Sequence, residues 1–425
     1  MLTTRPRGTN DILPSEAGKW HYLEELLRLV SKQYGYQEIR TPVFEHTELF
    51  QRGVGETTDI VEKEMYTFTD RGERSLTLRP EGTAPTVRAF LEHKMYANPQ
   101  PTKLYYIGPM FRYDRPQAGR YRQFHQYGVE VFGSNDPSVD AEVIAMAMDI
   151  YERLGLTGLT VELNSVGCPV CRPRHREELQ KFLEKNKAKL CPTCQGRYEK
   201  NPMRILDCKN PGCQELTQGA PTTSETLCKD CSTHLEKVQS YLQALGVPYV
   251  LNPRLVRGLD YYTGTAFEIT AQGIGAQSSI GGGGRYNGLI SQCGGPDTPG
   301  IGFALGMERI LLTLEQQGLI LPTKEMIHVF IAALGKEAQT KAFTLAQSLR
   351  QKGVIVERDY LGRSLKAQLK AADRLEAVLT VILGDEEIKK NTGIVRKMAN
   401  SEQVEIPLDD ITAYLIEELQ KEGVR

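Results

Sequence analysis

The sequence lacks the features of a membrane or exported protein. No apolar run approaches the roughly 18–20 residues that cross a bilayer, and the first residues, MLTTRPRGTND, contain no apolar core of a secretory signal. These absences favour a cytoplasmic protein that has no membrane partner. The formal net charge is only −1, so a nucleic-acid partner would have to be bound by a local basic patch. A G-x-x-x-x-G-K-[ST] loop is also absent, which excludes ordinary P-loop nucleotide chemistry.

What is present is the composition of an ordinary globular protein. The 425 residues are 40% hydrophobic and 25% charged, and this length is enough for about three domains. Residues 326–425 alternate apolar strand patterns with amphipathic helix patterns, which predicts an α/β domain with a largely parallel sheet. This region also contains four basic residues at spacings of three and four: Arg363, Lys366, Lys370 and Arg374. Such a stripe is ordinarily a solvated helix face.

The most informative segment is residues 104–133, LYYIGPMFRYDRPQAGRYRQFHQYGVEVFG. Two short runs rich in aromatic residues flank a loop with Pro and Gly, which predicts a pair of antiparallel strands. Because side chains alternate along a strand, Gln126, Gly128 and Glu130 share one face of the second strand, and that face is polar. The loop region carries four arginines: Arg112, Arg115, Arg120 and Arg122. The hairpin is either solvent-exposed with a solvated basic tip, or it is a pocket floor whose arginines bind phosphates.

Polar residues also lie at two strand ends. Pro80 and Gly82 break a strand just before a helix, so Glu81 and Thr83 lie at a strand-to-helix elbow, with Thr83 as the expected N-cap. Glu81 is then either a capping or solvated residue or a ligand-binding residue in a cleft. Arg257 is followed by a glycine near the entrance of a strand, where it forms either a surface salt bridge or an unshielded contact with a ligand.

A nucleotide site is predicted in the segment GIGFALGMERILLTLEQQG (300–318). Its glycines permit close backbone approach at a strand-to-helix junction. Arg309 lies in the first turns of the helix, where its guanidinium can stack on an adenine ring or reach a phosphate. The glycine run at 281–284, in contrast, does not have the G-x-G-x-x-G spacing of a dinucleotide fingerprint.

Eight of the nine cysteines fall in four close pairs within residues 168–238. The pairs are CPVC, CPTC, CKNPGC and CKDC, which contain Cys168, Cys171, Cys191, Cys194, Cys208, Cys213, Cys228 and Cys231. In a chain without an export signal this pattern favours metal binding over disulfides, and two pairs per ion would permit two four-thiolate zinc sites. The alternative is a decayed zinc ribbon that keeps thiols without metal. Zinc, if present, is expected to be structural.

Several of these segments resemble the class II aminoacyl-tRNA synthetases. FRYDRPQAGRYRQFHQ resembles motif 2 in its histidyl-tRNA synthetase form, with Asp114 where that family usually has Glu. LVRGLDYYTGTAFE and SIGGGGRYNGL resemble two signatures of histidyl-tRNA synthetases and their paralogues, and GIGFALGMERI resembles motif 3. An amphipathic helix over 16–35 and a strand from about Tyr36 that contains Pro42 resemble motif 1, the dimer-forming element. The HIGH and KMSKS sequences of the other synthetase class are absent.

This resemblance implies a role for each matching residue. Arg112 and Arg257 would be catalytic, clamping the α-phosphate and the substrate carboxylate. The residues implied to bind histidine are Glu81, Gly82, Thr83, Gln126, Glu130, Tyr261, Tyr262 and Tyr286. Those implied to bind ATP, with Mg²⁺, are Arg112, Arg120, Arg257 and Arg309. Arg115 and Gln117 match positions that meet the acceptor end of tRNA, and no metal ligand is implied among the site residues.

The resemblance therefore implies an α/β protein that ligates L-histidine to tRNA(His) as a homodimer. Residues 1–325 would form an α+β catalytic domain with a mixed, mainly antiparallel sheet, interrupted by the cysteine-rich insertion at 168–238. Residues 326–425 would form the anticodon-binding domain, which makes RNA contact by the basic stripe an alternative to simple solvation. The main rival is a non-catalytic, histidine-binding regulatory paralogue of ATP phosphoribosyltransferase, although such paralogues typically lack this last domain. A zinc-ribbon nucleic-acid binder would leave the histidine signatures unexplained.

Overall fold

The computed structural model describes four stretches of the chain: residues 3–55, 58–272, 279–322 and 326–424. The chain divides into two compact units, Met1–Pro322 and Thr323–Arg425. The predicted domain boundary borders residues 323–325, which lie outside the described residues. No helix in these four stretches is long and apolar enough to cross a membrane.

The first unit mixes helices and strands along its whole length. Its described α-helices are α1 (Pro14–Gln33), α2 (Thr47–Val54), α3 (Thr83–Glu92), α4 (Pro137–Arg153), α5 (Arg172–Leu183), α6 (Pro192–Lys200), α7 (Pro211–Leu216), α8 (Lys229–Ala244), α9 (Leu289–Gln292) and α10 (Met307–Gln316). Its described strands are β1 (Gln37–Glu38), β2 (Phe44–His46), β3 (Tyr66–Thr69), β4 (Ser75–Leu78), β5 (Thr102–Phe111), β6 (Gln123–Phe132), β7 (Leu159–Ser165), β8 (Tyr249–Leu251), β9 (Thr265–Ala271), β10 (Ser279–Arg285) and β11 (Gly300–Gly306).

The large sheet of this unit has the strand order β1-β5-β6-β11-β10-β9-β7-β8. The pairs at the two edges, β1 with β5 and β7 with β8, are parallel, and the neighbours between them are antiparallel. The predicted mixed, mainly antiparallel sheet is therefore confirmed. The alternation predicted for β6 also holds, since Tyr127, Val129 and Val131 enter the main core together with apolar residues of α1, α4, α8 and α10. The opposite face of β6 is left for Glu130 and its polar neighbours.

The single strand predicted after α1 is wrong. The chain forms only the short β1, passes Pro42, pairs β2 with β4 in a separate three-stranded sheet, and then enters α2 at Thr47. Pro42 interrupts the strand pattern because it has no N–H to donate to a ladder. Phe50 and Val54 then face the same side of a helix, where they are buried together.

The second unit contains a five-stranded sheet with helices. Its described helices are α11 (Lys336–Gln351), α12 (Leu365–Arg374), α13 (Asp385–Lys390) and α14 (Ile411–Lys421), and its described strands are β12 (Val329–Ala333), β13 (Val356–Arg358), β14 (Leu379–Leu383), β15 (Thr392–Lys397) and β16 (Gln403–Pro407). The strand order is β13-β12-β14-β15-β16. Pairs from β13 to β14 are parallel, but β14–β15 and β15–β16 are antiparallel. The sheet is therefore less parallel than predicted, because the short α13 returns the chain directly beside β14.

Candidate active site

A buried carboxyl group lies at the centre of the polar face of β6. Glu130 is 1% exposed. It accepts hydrogen bonds from three hydroxyl groups: those of Thr83 (2.8 Å), Tyr106 (3.3 Å) and Tyr286. Burial raises the pKa of Glu130 to about 8, although the hydrogen bonds from Tyr286 and Thr83 oppose this shift. At neutral pH the carboxyl group therefore carries a proton that it can share with a basic ligand.

A second buried carboxyl group caps the helix beside Glu130. Glu81 accepts hydrogen bonds from the backbone N–H groups of Thr83 (2.7 Å) and Ala84 (2.8 Å), at the start of α3. The prediction that Thr83 is the N-cap is wrong, since Gly82 holds that position and Glu81 satisfies the N–H groups. The Thr83 hydroxyl is thereby free to bond Glu130. Burial raises the pKa of Glu81, and its two backbone hydrogen bonds oppose that rise.

The small residue at the centre of β6 makes room for a tyrosine. Tyr106 of β5 is the cross-strand partner of Gly128, and its ring lies over both Gly128 and Gly82. A Cβ atom at Gly128 would lie 2.3 Å from the Tyr106 hydroxyl oxygen, and one at Gly82 would lie 2.2 Å from the ring. The sequence reasoning missed Tyr106, although its strand register opposite the glycine was a usable signal.

We therefore expect Gly128→Ala to destabilise the first unit. The added methyl group must push the Tyr106 ring away from Glu130, and overpacking of this kind costs about 1–3 kcal/mol. A matched control is Gly196→Ala in α6, where a Cβ meets open space and no positive φ is required. That control should gain about 0.5–1 kcal/mol, as expected for Ala in place of Gly within a helix. Urea unfolding followed by tyrosine fluorescence measures both; equal midpoints for the two variants would contradict this packing.

Arg257 lies against the sheet on a strip of glycine. Its guanidinium lies 3.4 Å from the Glu268 carboxylate and 5.8 Å from the centre of the Tyr262 ring. A Cβ atom at Gly282 would lie 2.8 Å from Nη1 of Arg257 and 2.7 Å from a backbone oxygen of β9. The glycine run of β10 therefore gives Arg257 access to the sheet surface. The salt bridge considered from the sequence exists, but the arginine side chain is only 20% exposed.

Arg112 enters from the end of β5. Its Nε donates a hydrogen bond to the Pro80 carbonyl oxygen (2.8 Å), and its guanidinium lies 5.4 Å from the centre of the Phe124 ring. Burial lowers the pKa of Arg112, while Glu64 and Glu81 act in the opposite direction. Its bond to Pro80 places this arginine next to the elbow that carries Glu81.

Two further arginines belong to the candidate site: Arg120 in the loop after β5 and Arg309 near the start of α10. Arg309 donates a hydrogen bond to the carbonyl oxygen of Ser279. Burial lowers the pKa of Arg309, and the nearby charge of Arg120 lowers it further. Arg120 in turn pairs with Asp114 (3.1 Å). Asp114, the residue that departs from the family pattern, is thus an anchor of this loop.

Unsatisfied polar atoms point to a polar ligand. Among the described residues, Oε1 of Gln126 and Nε of Arg257 are buried without a hydrogen-bond partner. Unpaired buried groups are costly, so a bound molecule that pairs with them gains affinity. The rings of Tyr262 and Tyr286 lie 4.8 and 5.7 Å from that of Tyr261 and form an aromatic wall. In contrast, Arg115 and Gln117 are exposed on the loop and outside this cluster.

A contact that sequence reasoning missed fixes the floor of the site. The Glu308 carboxylate accepts hydrogen bonds from the backbone N–H of His125 (2.9 Å) and lies 2.9 Å from its Nδ1. The bond joins the first turn of α10 to the start of β6, across 183 positions of sequence. It holds Arg309 and Gln126 on neighbouring elements.

Comparisons with known proteins identify the family of this chain. The family model described as "Histidyl-tRNA synthetase" matches residues 8–310, and the model described as "Anticodon binding domain" matches residues 328–418. The chain belongs to the histidyl-tRNA synthetase family.

Other members of the histidyl-tRNA synthetase family align with nearly the whole chain. The histidine–tRNA ligase of Desulforamulus reducens is 65% identical over 415 residues, which cover 98% of this chain and 99% of the relative. That of Pelotomaculum thermopropionicum is 61% identical over 419 residues and covers 99% of each chain. The crystal structure of apo Staphylococcus aureus histidyl-tRNA synthetase superposes with a TM-score of 0.84 at 45% identity, covering 97% of this chain and 100% of that one. The predicted fold and family are thereby confirmed.

Proposed function

We propose that this chain is a histidine–tRNA ligase. It activates L-histidine with ATP to histidyl-adenylate and pyrophosphate, and then transfers histidine to the 3′-terminal ribose of tRNA(His) with release of AMP. The observation that carries this proposal is the buried cluster of Glu81 and Thr83 at the elbow and Glu130 on β6, with the Arg257 guanidinium lying against Gly282 of β10 in the same sheet. Full-length similarity to histidine–tRNA ligases supports the catalytic function over the regulatory alternative.

Histidine is expected to bind with its ammonium group at the elbow and its imidazole at Glu130. Glu81 and Thr83 offer oxygen atoms to the ammonium group, and Gln126 has an unsatisfied Oε1 on the polar face of β6. Glu130 and Tyr286 offer a shared proton to the imidazole. The remaining predicted histidine-binding residues would line the site: Gly82 leaves room for the Tyr106 ring, and Tyr261 and Tyr262 belong to the aromatic wall.

This arrangement gives a physical basis for specificity without editing. An apolar analogue of histidine would leave the Glu130 carboxyl and its hydroxyl partners without a polar ligand. Sites built to hydrogen-bond a substrate reject an analogue that lacks the polar group by about 10⁴-fold or more. The control amino acids in an activation assay should therefore give no measurable exchange.

Histidine affinity should have an optimum between about pH 6.5 and pH 8. Burial raises the pKa of Glu130 to about 8, so the free site carries one proton at neutral pH and a neutral imidazole brings none. Above pH 8 the complex must take up a proton, and below about pH 6.5 it must release one, so Kd should rise up to about tenfold per pH unit on either side. Calorimetric titration from pH 5.5 to 9 measures this profile.

The matched control for this profile is Glu130→Gln, which removes the titrating group but keeps an oxygen acceptor. Its affinity should be weaker at pH 7, and the rise in Kd that begins near pH 8 should disappear. A wild-type Kd that is unchanged between pH 7 and 9 would contradict the shared proton.

The adenylation step needs charge neutralised, and no protein nucleophile is required. Arg112 and Arg257 would clamp the α-phosphate and the histidine carboxylate, and Arg120 and Arg309 would bind the rest of ATP. Among the carboxylates beside these arginines, Glu81 accepts backbone hydrogen bonds and Glu268 pairs with Arg257. Mg²⁺ would be held mainly by the phosphate oxygens of ATP, the hard ligands that it prefers.

The tRNA would be bound at two places. Arg115 and Gln117 lie exposed on the motif 2 loop, and they would meet the acceptor end. Residues 326–425 would bind the anticodon region, and Lys366, Lys370 and Arg374 are exposed on α12 for such a contact. We further propose the catalytic domain at 1–325 with its insertion at 168–238, a homodimer formed through motif 1, and a cytoplasmic location.

Histidine-dependent ATP–pyrophosphate exchange on the purified protein tests the proposed function. Exchange with histidine and not with the other amino acids would establish activation, and transfer to tRNA(His) would complete the reaction. Histidine binding without exchange would instead indicate the regulatory paralogue.

A further inference from the structure

We propose that the insertion binds two structural zinc ions, each through four cysteine thiolates. The first site consists of Cys168, Cys171, Cys228 and Cys231, and the second of Cys191, Cys194, Cys208 and Cys213. Within each group all four sulfur atoms lie within 4.8 Å of one another. The first cysteine pair is thus combined with the fourth, and the second with the third.

The sulfur–sulfur distances fit a shared tetrahedral ion. The Sγ of Cys168 lies 3.7 Å from that of Cys171 and 3.8 Å from that of Cys228. In the second site the Sγ atoms of Cys191 and Cys208 are 3.9 Å apart. Four thiolates at the usual Zn–S distance of about 2.3 Å form a tetrahedron with edges of about 3.8 Å, whereas the sulfurs of a disulfide are about 2.05 Å apart.

Backbone N–H groups stabilise sulfur in both sites. The N–H of Cys168 points at Sγ of Cys171 (3.1 Å), and the N–H of Cys191 points at Sγ of Cys213 (3.2 Å). Asn210 directs its N–H at Sγ of Cys208 (3.4 Å). Hydrogen bonds to metal ligands of this kind orient the ligands and stabilise their negative charge.

The insertion has only a small buried cluster of its own. Its buried cluster comprises a few apolar side chains together with two of the proposed ligands: Leu179, Leu183, Leu190, Cys194, Tyr198, Ile205, Leu206 and Cys213. Units of fewer than about 70–80 residues often add a metal ion or disulfides to a core of this kind. Two closed four-thiolate sites supply that stabilisation.

The two sites occupy different places in the insertion. The first site lies between the segment just before α5, where the chain enters the insertion, and the start of α8, where the chain leaves it. This site therefore links the two ends of the insertion. Directly after Cys171, Arg172 donates a hydrogen bond to the carbonyl oxygen of Tyr262 (3.0 Å), in the aromatic wall of the histidine site. The second site lies between α6 and α7, inside the insertion.

The metal-bound insertion braces the loop that carries Arg257. We call residues 254–262 the signature loop. Arg204 donates a hydrogen bond to the carbonyl oxygen of Gly258 (3.0 Å), and Asn201 donates one to the Asp260 carboxylate (2.8 Å). Both donors lie between the second and third cysteine pairs. Loss of zinc would therefore release Arg257 and Tyr262 from their positions.

Metal analysis of the full-length protein, purified without chelator, tests this proposal independently of activity. We expect about two zinc ions per chain. Protein produced with Co²⁺ in place of zinc should show the intense thiolate-to-cobalt charge-transfer band and the d–d bands of tetrahedral four-thiolate cobalt. Fewer than about 0.3 zinc ions per chain, with eight insertion thiols that react freely with a thiol reagent in the native protein, would overturn the proposal in favour of a metal-free ribbon.

Single variants assign the ions to their sites. Cys171→Ser and Cys194→Ser should each lose about one zinc ion per chain, whereas Cys293→Ser, the cysteine outside the insertion, should lose none. Loss of either ion should raise the KM for histidine and lower the unfolding midpoint, with the remaining ion still bound. One ion per chain in the wild type, or two ions retained in both variants, would overturn the two-site assignment, whatever the activity.

Discussion

Arg257→Ala is expected to lower histidine-dependent ATP–pyrophosphate exchange by about 10²–10³-fold, as measured for loss of one preorganised donor. The charge that develops on the α-phosphate must be neutralised within the site, and Arg257 is held there on the glycine strip of β10. Its Nε atom is buried without a hydrogen-bond partner among the described residues. The folded protein has therefore already lost the hydration energy of this group before ATP binds. The effect should fall mainly on kcat, because the interaction strengthens in the transition state.

Two variants separate this role from a structural one. Arg257→Lys keeps the charge but loses the planar fork that matches phosphate oxygens, so it should recover only part of the rate. Arg74→Ala removes an arginine that is 66% exposed and paired with Asp70 in the β3–β4 turn, and it should leave exchange unchanged. A loss of less than about threefold in Arg257→Ala, with the fold intact, would refute the catalytic role.

The elements of the site could be predicted where their signal is local. The alternation along β6 placed Glu130 and Gln126 on one polar face, and the break at Pro80 placed Glu81 at an elbow. The role of the glycine run was not predictable, because it depends on which side chain crosses β10. Arg257 comes from a loop outside that strand, so no spacing within the run reveals it.

Contacts between distant segments explain most of what the sequence left open. The hydrogen bond between Glu308 and His125 depends on the register of β11 against β6. The prediction of a hairpin at residues 104–133 says nothing about that register. Likewise, the spacing of the cysteines predicted four pairs but not their grouping. The nested grouping follows from the fold, since the two ends of the insertion meet where it leaves the sheet.

Competing local preferences account for the wrong expectations. Thr83 has the side chain of a good N-cap, but Glu81 accepts the N–H groups of Thr83 itself and of Ala84, so the helix begins one residue earlier, and the Glu81 carboxylate suits a helix N-terminus. In the segment after Pro42, Phe50 and Val54 read equally well as strand or helix residues. The segment forms a helix because this conformation buries both side chains against Ala84 of α3.

Glu81→Gln is expected to raise the KM for histidine by about 10²-fold with a much smaller change in kcat. A buried carboxylate that pairs with the substrate ammonium group contributes about 2–5 kcal/mol, and each 1.4 kcal/mol corresponds to a tenfold change. The ammonium group takes no part in bond making, so the interaction is equally strong in the ground and transition states and appears in KM. Steady-state exchange at varied histidine concentration measures the two constants separately.

Glu81 also caps α3, so the cap must be tested apart from the substrate. Gln keeps one oxygen for the N–H of Thr83 or Ala84, and loss of the other bond should cost about 1 kcal/mol of stability. Glu387→Gln is the matched control, because Glu387 accepts the N–H of Gly384 (2.9 Å) at the start of α13 in the second unit. Both variants should lower the unfolding midpoint slightly, but only Glu81→Gln should change the KM for histidine. If KM moves less than threefold while the midpoint falls, Glu81 is a capping residue alone, and the ammonium group must be bound elsewhere on the polar face of β6.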